Sequence, residues 1–194
     1  MPRSIKVNGE TFVEMLSERR IKLRIKALAR QINRDYKGKT PVFIGVLNGS
    51  FIFFADLIRE ITVDCEVDFF KLSSYGDSKI SSGNVRLLKD LNCQVTGRDI
   101  LIVEDIVDSG LSMEYIRSLI LRQNPSSFRI VTLLYKKVAV KSNIQLDYVG
   151  FEIPRDFVIG FGLDYAQRER NLKAIYRLRD AGAEREKGAN VRNG

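Results

Sequence analysis

The sequence predicts an open α/β fold: a mostly parallel, twisted sheet flanked by helices. Two observations carry that reading. Near-continuous apolar runs at 41–47, 99–105 and 128–136 have the length and character of strands buried on both faces. Around them, apolar residues fall at helical spacing in 50–60 and 111–123, and strands alternating with helices are the pattern of a parallel sheet. In such sheets ligands bind beyond the carboxyl ends of the strands.

The elements follow in order. Ser17 opens a helix whose Ile21, Ile25, Leu28 and Ile32 form one apolar stripe, and Gly38 and Pro41 end it. PVFIGVL (41–47) is the first buried strand, and SFIFFADLIRE (50–60) the next helix. EVDFFKLSSY (66–75) reads as a strand, GDSKISSG (76–83) as a polar connection, and NVRLLKDL (84–91) as a returning strand. Thr96-Gly97-Arg98 is a turn into DILIVED (99–105), a strand that closes in two carboxylates. A helix over 111–123, strands at 128–136 and 147–151, and a last strand at 173–178 complete the chain, with a frayed tail from Gly182.

Composition narrows the chemistry. With no histidine among 194 residues, Ser-His-Asp and Cys-His machinery and imidazole zinc sites are excluded. Acid–base work falls to carboxylates, lysines or tyrosines. Cys65 and Cys93 are too few for a disulfide framework and lack CxxC spacing, so they read as thiols in a reducing compartment. The opening MPRSIKVNGE has no apolar core of a leader, and no apolar run approaches the ~18 residues of a membrane span. A cytoplasmic protein without membrane contact is the expectation.

The net charge of +8 is unevenly spread: residues 1–40 and 165–194 together carry +11, and residues 41–164 carry −3. This is a solvated basic periphery or an electrostatic lure for an anionic substrate or polyanion. Only Phe12, Tyr36, Tyr165 and Tyr176 are aromatic in those ends, without interleaving of rings and basic groups, so no specific nucleic acid is expected as partner.

ILIVEDIVDSGLSM (100–113) is the most informative stretch. A buried strand delivers Glu104, Asp105 and Asp108, and Ser109-Gly110 turns the chain into a helix near Leu111. Glycine permits the tight turn, hydroxyls can donate, and the first amides of the helix face an anion. Adjacent carboxylates suit Mg²⁺ or sugar hydroxyls.

This stretch resembles the signature with which purine phosphoribosyltransferases bind 5-phosphoribosyl 1-pyrophosphate (PRPP). The signature runs apolar strand, Glu-Asp, two apolar residues, Asp-Ser/Thr-Gly, Ser/Thr. GVLNGSFIFFADL (45–57), SSYG (73–76), LLYKK (133–137) and YVGFEIPRDFVIGFGLDYAQRERNL (148–172) resemble further segments of that family in its order, specifically the bacterial hypoxanthine(-guanine) branch.

The resemblance implies a type I phosphoribosyltransferase fold as a single domain over 1–180. Its core would span about 40–150, a small hood would come from about 1–15 and 150–180, and 181–194 would be a flexible tail. It further implies that Glu104 and Asp105 hold the ribose hydroxyls, directly or through Mg²⁺. Asp108, Ser109, Gly110, Leu111 and Ser112 would bind the 5′-phosphate, and Asp108 would relay the N7 proton of the base. Leu47, Asn48 and Gly49, with a cis Leu47–Asn48 peptide, would bind pyrophosphate together with Arg170. Lys136 would donate to purine O6, Phe157 would stack on the base, Val158 would contact it, and Asp164 would bind a second Mg²⁺ through water. Ser74, Tyr75 and Gly76 would start a mobile lid over 75–83, and the chain would form a homodimer or homotetramer.

Taken alone, Leu-Asn-Gly-Ser is a strand-to-helix turn, Lys136 the first solvated residue after a strand, and Phe157-Val158 the core of a short strand. Asn48 and Asp156 stand where some relatives carry basic residues. The first leaves pyrophosphate binding to amides and metal, and the second removes a positive group from the site and leaves hypoxanthine versus guanine open.

The implied reaction makes IMP or GMP and pyrophosphate from PRPP and a 6-oxopurine. Alternatives are a PRPP-sensing, nucleic-acid-binding regulator or a transferase for xanthine or a pyrimidine.

Overall fold

The computed structural model describes residues 3–74, 85–139 and 144–179. Tyr75, Gly76, the polar stretch to 83 and the tail 181–194 lie outside the described residues.

Ten strands and three helices are present among the described residues. They are β1 (Ser4–Val7), β2 (Glu10–Leu16), α1 (Glu18–Asp35), β3 (Val42–Leu47), α2 (Phe51–Ile58), β4 (Glu66–Ser74), β5 (Val85–Lys89), β6 (Asp99–Val107), α3 (Leu111–Leu121), β7 (Ser127–Tyr135), β8 (Tyr148–Glu152), β9 (Val158–Ile159) and β10 (Ile175–Leu178).

The large sheet has the order β5-β4-β3-β6-β7-β8, parallel throughout except where β5 returns antiparallel along β4. Its central strands are apolar because both faces are covered. Leu101, Val103, Val131 and Leu133 pack under α1 and α2, while Ile100, Ile102 and Ile130 pack under α3.

Helix α1 forms where the stripe predicts. Ser17 caps it, accepting from the Arg20 N–H at 3.4 Å, and Ile21, Ile25, Leu28 and Ile32 are buried. Arg24 on the same helix donates to the carbonyls of Val149 and Gly150, occupying part of the outer edge of β8.

A second sheet, β1-β2-β10-β9, is antiparallel and joins the first sixteen residues to the segment 158–178. Its β1–β2 hairpin was not anticipated as strands from the sequence, and β9 is only two residues long.

One predicted boundary shifts in a way that bears on the site. Strand β6 runs on to Val107, two residues past Asp105, so Glu104 and Asp105 lie inside the strand rather than at its end, and both are buried. The β6–β7 register names no partner for Asp105 or Leu133, and past this point the faces exchange. Ile106 packs with the α1–α2 layer and Val107 with the α3 layer.

Asp68 on β4 ties β5 and the chain after it to the sheet. It accepts from Lys89 Nζ at 3.0 Å and from the N–H groups of Phe69, Asn92 and Cys93 at 2.7, 2.6 and 3.0 Å. Burial by itself would raise its pKa, but the hydrogen bonds from Cys93, Lys89, Phe69 and Asn92 outweigh it and hold the group well below the ordinary carboxylate range. A depressed folded-state pKa adds stability above the unfolded value and loses it as pH falls toward the folded one. Asp68→Asn is therefore expected to lower unfolding free energy at pH 7 by about 2 kcal/mol. It should also flatten the decline in stability below about pH 4. Urea melts at pH 7, 5 and 3 check this, and an undiminished acid dependence would show that Asp68 is not its source.

Candidate active site

The site lies at the carboxyl ends of β3, β6 and β7 and consists of two adjoining cavities. The first, about 290 Å³, is lined by Val46, Leu47, Gly49, Leu72, Glu104 to Gly110, Ser112 and Met113. The second, about 350 Å³, is lined by Asn48, Gly49, Asp105, Ile106, Asp108, Lys136, Phe157, Val158, Leu163, Asp164 and Arg170. Gly49, Asp105, Ile106 and Asp108 belong to both and form the wall where the two lobes meet.

The first lobe is built by the turn from β6 into α3. Gly110, with φ +84°, takes the N-cap position in a left-handed conformation, and no side chain caps the helix there. Only the Leu111 N–H has a nearby side-chain acceptor, Ser109 Oγ at 3.4 Å. The uncapped amides beside Ser109, Gly110 and Ser112 make this lobe an anion cradle. Leu111 starts the helix but does not line the cavity.

The opposite wall is the turn from β3 into α2. The Leu47–Asn48 peptide is cis. Ser50, wholly buried, donates from Oγ to the Val46 carbonyl at 2.6 Å, and its own carbonyl accepts from the Phe54 N–H at 2.7 Å. The Gly49 backbone lies against the Asp105 carboxylate so closely that a Cβ there would collide with it. Only glycine fits.

Glu104 is fully buried among these groups. Burial first, and then the hydrogen bond and charge of Asp105, push its carboxyl pKa well above the ordinary range. The Asp105 N–H donates to Glu104 Oε1 at 3.1 Å. Among the described residues no three such side chains converge on one point, so Asp164 is not gathered with Glu104 and Asp105 into one metal cluster. The Glu104–Asp105 pair still fits Mg²⁺, which takes one or two protein carboxylates and fills its shell with water and substrate oxygens.

In the second lobe Lys136 and Asp108 form an ion pair, 2.7 Å between Nζ and Oδ2. The lysine is almost buried and the aspartate side chain is 55% exposed. The Lys136 N–H donates to the Val107 carbonyl at 3.0 Å, which fixes the end of β7 beside the end of β6. Val158 is buried, whereas Phe157 leaves 45% of its surface open.

Arg170 is engaged within its own loop. It pairs with Asp164 at 2.8 Å and donates to the Gly162 carbonyl at 2.8 Å and to Gln167 Oε1 at 3.1 Å. Asp156 is removed from the base lobe altogether. It pairs with Arg177 at 3.1 Å and lines a separate cleft beside β2 and β8.

The sequence reading passed over the apolar members of the walls, among them Leu72, Met113 and Leu163. It also passed over Ile106 and Val107, although both sit inside the acidic signature itself. Ser74 ends β4.

The phosphoribosyl transferase domain family matches residues 13–166 of this chain. Fold and site together define a phosphoribosyltransferase. The hypoxanthine-guanine phosphoribosyltransferase of Bacillus subtilis (strain 168) is 47% identical over 167 residues, covering 86% of this chain and 93% of that protein. The hypoxanthine phosphoribosyltransferase of Escherichia coli K12 is 46% identical over 163 residues, covering 83% and 92%. A Staphylococcus aureus hypoxanthine phosphoribosyltransferase structure superposes with a TM-score of 0.82 at 40% identity, covering 86% of this chain and 90% of that one. The chain belongs to the phosphoribosyltransferase family, in its hypoxanthine(-guanine) branch. Among the described residues no helix is long and apolar enough to cross a membrane.

Because a side chain at position 49 has no room beside Asp105, Gly49→Ala is expected to reduce turnover by about 10²-fold or more through misplacement of the turn. The fold by circular dichroism should remain intact. Activity within threefold of the wild type would show that the turn relaxes without consequence.

Proposed function

We propose that the protein salvages purines, joining hypoxanthine, and guanine by the same contacts, to the 5-phosphoribosyl group of PRPP with release of pyrophosphate. The observation that carries this reading is the Lys136–Asp108 pair on the wall between an anion cradle and a base-sized slot.

A 6-oxopurine replaces both halves of that pair. Its O6 accepts from the Lys136 ammonium, and its N7–H donates to the Asp108 carboxylate. Adenine presents an amino donor at the same place and leaves the ammonium unpaired, a penalty that excludes it. As N9 forms its bond to C1 of the ribose and the C1–O bond to pyrophosphate breaks, the N7 proton passes to Asp108. In a chain without histidine, a carboxylate held beside a lysine is the base available for this transfer.

The amides at the start of α3, with Ser109 and Ser112, hold the 5′-phosphate, and Glu104 and Asp105 take the ribose hydroxyls. Asn48, Gly49 and Arg170 border the pyrophosphate. Glu104 and Asp105 are the residues that would hold Mg²⁺, and Asp164 would serve a second ion. Mg²⁺ neutralises charge on the leaving pyrophosphate. The carboxylates of this chain orient the sugar, and the Phe157 ring and Val158 position the base. A PRPP sensor needs only the first lobe, whereas the second lobe, with its buried ammonium and open ring, supports a transferase.

Incubation with PRPP, Mg²⁺ and each nucleobase in turn tests the reading: hypoxanthine and guanine are expected to give nucleotides and adenine none. Failure with both 6-oxopurines, or preference for xanthine or a pyrimidine, would overturn it. Asp108→Asn is expected to cut turnover on the order of 10²-fold while PRPP binding is retained. Unchanged turnover would leave Asp108 as part of the phosphate loop only. Lys136→Gln is expected to raise KM for hypoxanthine and leave KM for PRPP within about twofold. The reverse pattern would mean that the base does not bind beside β7.

A further inference from the structure

Phe157 has one open side, toward the base lobe, and a second side that is not free. Tyr165 meets its ring edge-on, with centroids 5.5 Å apart and planes at 72°. Phe12, wholly buried on β2, stands 6.2 Å from Phe157 and 6.1 Å from Tyr165, tilted to both. The three rings form one cluster between the N-terminal hairpin and β9.

Tyr165 is itself fixed at several points. Its backbone exchanges hydrogen bonds with Arg168 at 3.1 Å in each direction, closing a turn whose Ala166 and Gln167 both have positive φ. Glu10, at the turn of the hairpin, lies near enough to the Tyr165 hydroxyl to push its pKa up. Its chain neighbour Asp164 lines the base lobe and is held by Arg170. The family match begins at residue 13, so the hairpin turn and Phe12 lie outside the matched residues.

A phenylalanine open over nearly half its surface, just before a strand of two residues, has little backbone around it to hold its ring in one attitude. An edge-on partner supplies that constraint, because the ring cannot turn without striking it. We propose that Tyr165 is a positioning residue for the base: wedged against Phe157 and Phe12, it sets the ring in the attitude on which the purine stacks. The N-terminal hairpin thereby governs affinity for the base while touching neither the base nor the phosphates. This rests on the reading that Phe157 stacks on the base.

The test is steady-state kinetics with hypoxanthine and PRPP varied separately, on the full chain and on Phe157→Ala, Tyr165→Leu, Tyr165→Met and Tyr165→Phe. Tyr165→Leu is expected to raise KM for hypoxanthine about tenfold and leave KM for PRPP within about twofold. Tyr165→Phe keeps the ring and is expected to restore most of the loss, so the ring rather than the hydroxyl carries the effect. Tyr165→Met fills the same space without a ring and serves if Tyr165→Leu does not fold; it should show the same selective rise.

An unchanged base KM in Phe157→Ala would overturn the stacking reading and this inference together. A raised base KM in Phe157→Ala with an unchanged one in the folded Tyr165 variants would overturn this inference alone. Equal rises in both KM values, or no rescue by Tyr165→Phe, would make Tyr165 a support of the small sheet and would likewise overturn it.

Discussion

Two adjacent carboxylates buried side by side, Glu104 and Asp105, are the constraint around which this molecule is arranged. The comparison with Asp68 makes the point. Both Glu104 and Asp68 are nearly inaccessible, yet the Asp68 pKa is driven down and the Glu104 pKa up. Asp68 is surrounded by donors: an ammonium and three backbone N–H groups. Glu104 has a second carboxylate beside it, and among the described residues no lysine or arginine lines the lobe it faces. A buried acid saturated with donors is structural, while one left short of them stands ready for a cation or hydroxyls brought from outside. Burial alone does not distinguish the two.

That constraint accounts for the neighbours. A side chain at position 49 would meet the Asp105 carboxylate, so the turn after β3 carries glycine. Among the described residues no side-chain cation lines this lobe, so an anion there would depend on the uncapped start of α3. The basic ends of the chain contribute less to the site than their charge suggests. On α1, Lys22 pairs with Glu18 and Lys26 with Glu60, both at the exposed surface where such pairs matter little. Among the described residues, Lys136 and Arg170 are the only lysine and arginine that line the second lobe, and each already holds an aspartate of that lobe.

What was legible in the sequence was whatever depends on local pattern. The apolar runs of β3, β6 and β7 and the stripe of α1 mark elements whose burial is decided by the residues themselves. The carboxylates of β6 were legible as a site and expected at the end of the strand, because charge ordinarily ends a buried strand. The hairpin had a usable signal: Asn8-Gly9, with φ of 49° and 83°, is a two-residue turn between Val7 and Glu10, and Asn-Gly is the commonest sequence for it. Its first strand is only four residues long and its alternation of apolar and charged residues is weak. Nothing local marks the pairing of β2 with β10, the turning of Asp156 toward Arg177, or the stacking of Phe12 behind Phe157. These depend on segments more than 140 residues apart, or on a side chain choosing between two faces.

The division of the site between two sheets has a further meaning. Lys136 and Asp108, which would read the exocyclic oxygen and take the proton, are carried by β7 and by the turn after β6, in the large sheet that also holds the phosphate lobe. Phe157 and Val158, which would read only a flat apolar surface, belong to the small sheet and the chain just before it. The first pair demands placement to within a hydrogen bond, and a sheet packed on both faces provides it. The second demands only a ring in the right plane, which a short antiparallel sheet with an aromatic buttress can supply. Chemical discrimination among bases therefore rests on the rigid part of the molecule. On this reading, affinity for the base would be adjusted through the small sheet without disturbing the acids that would hold the sugar.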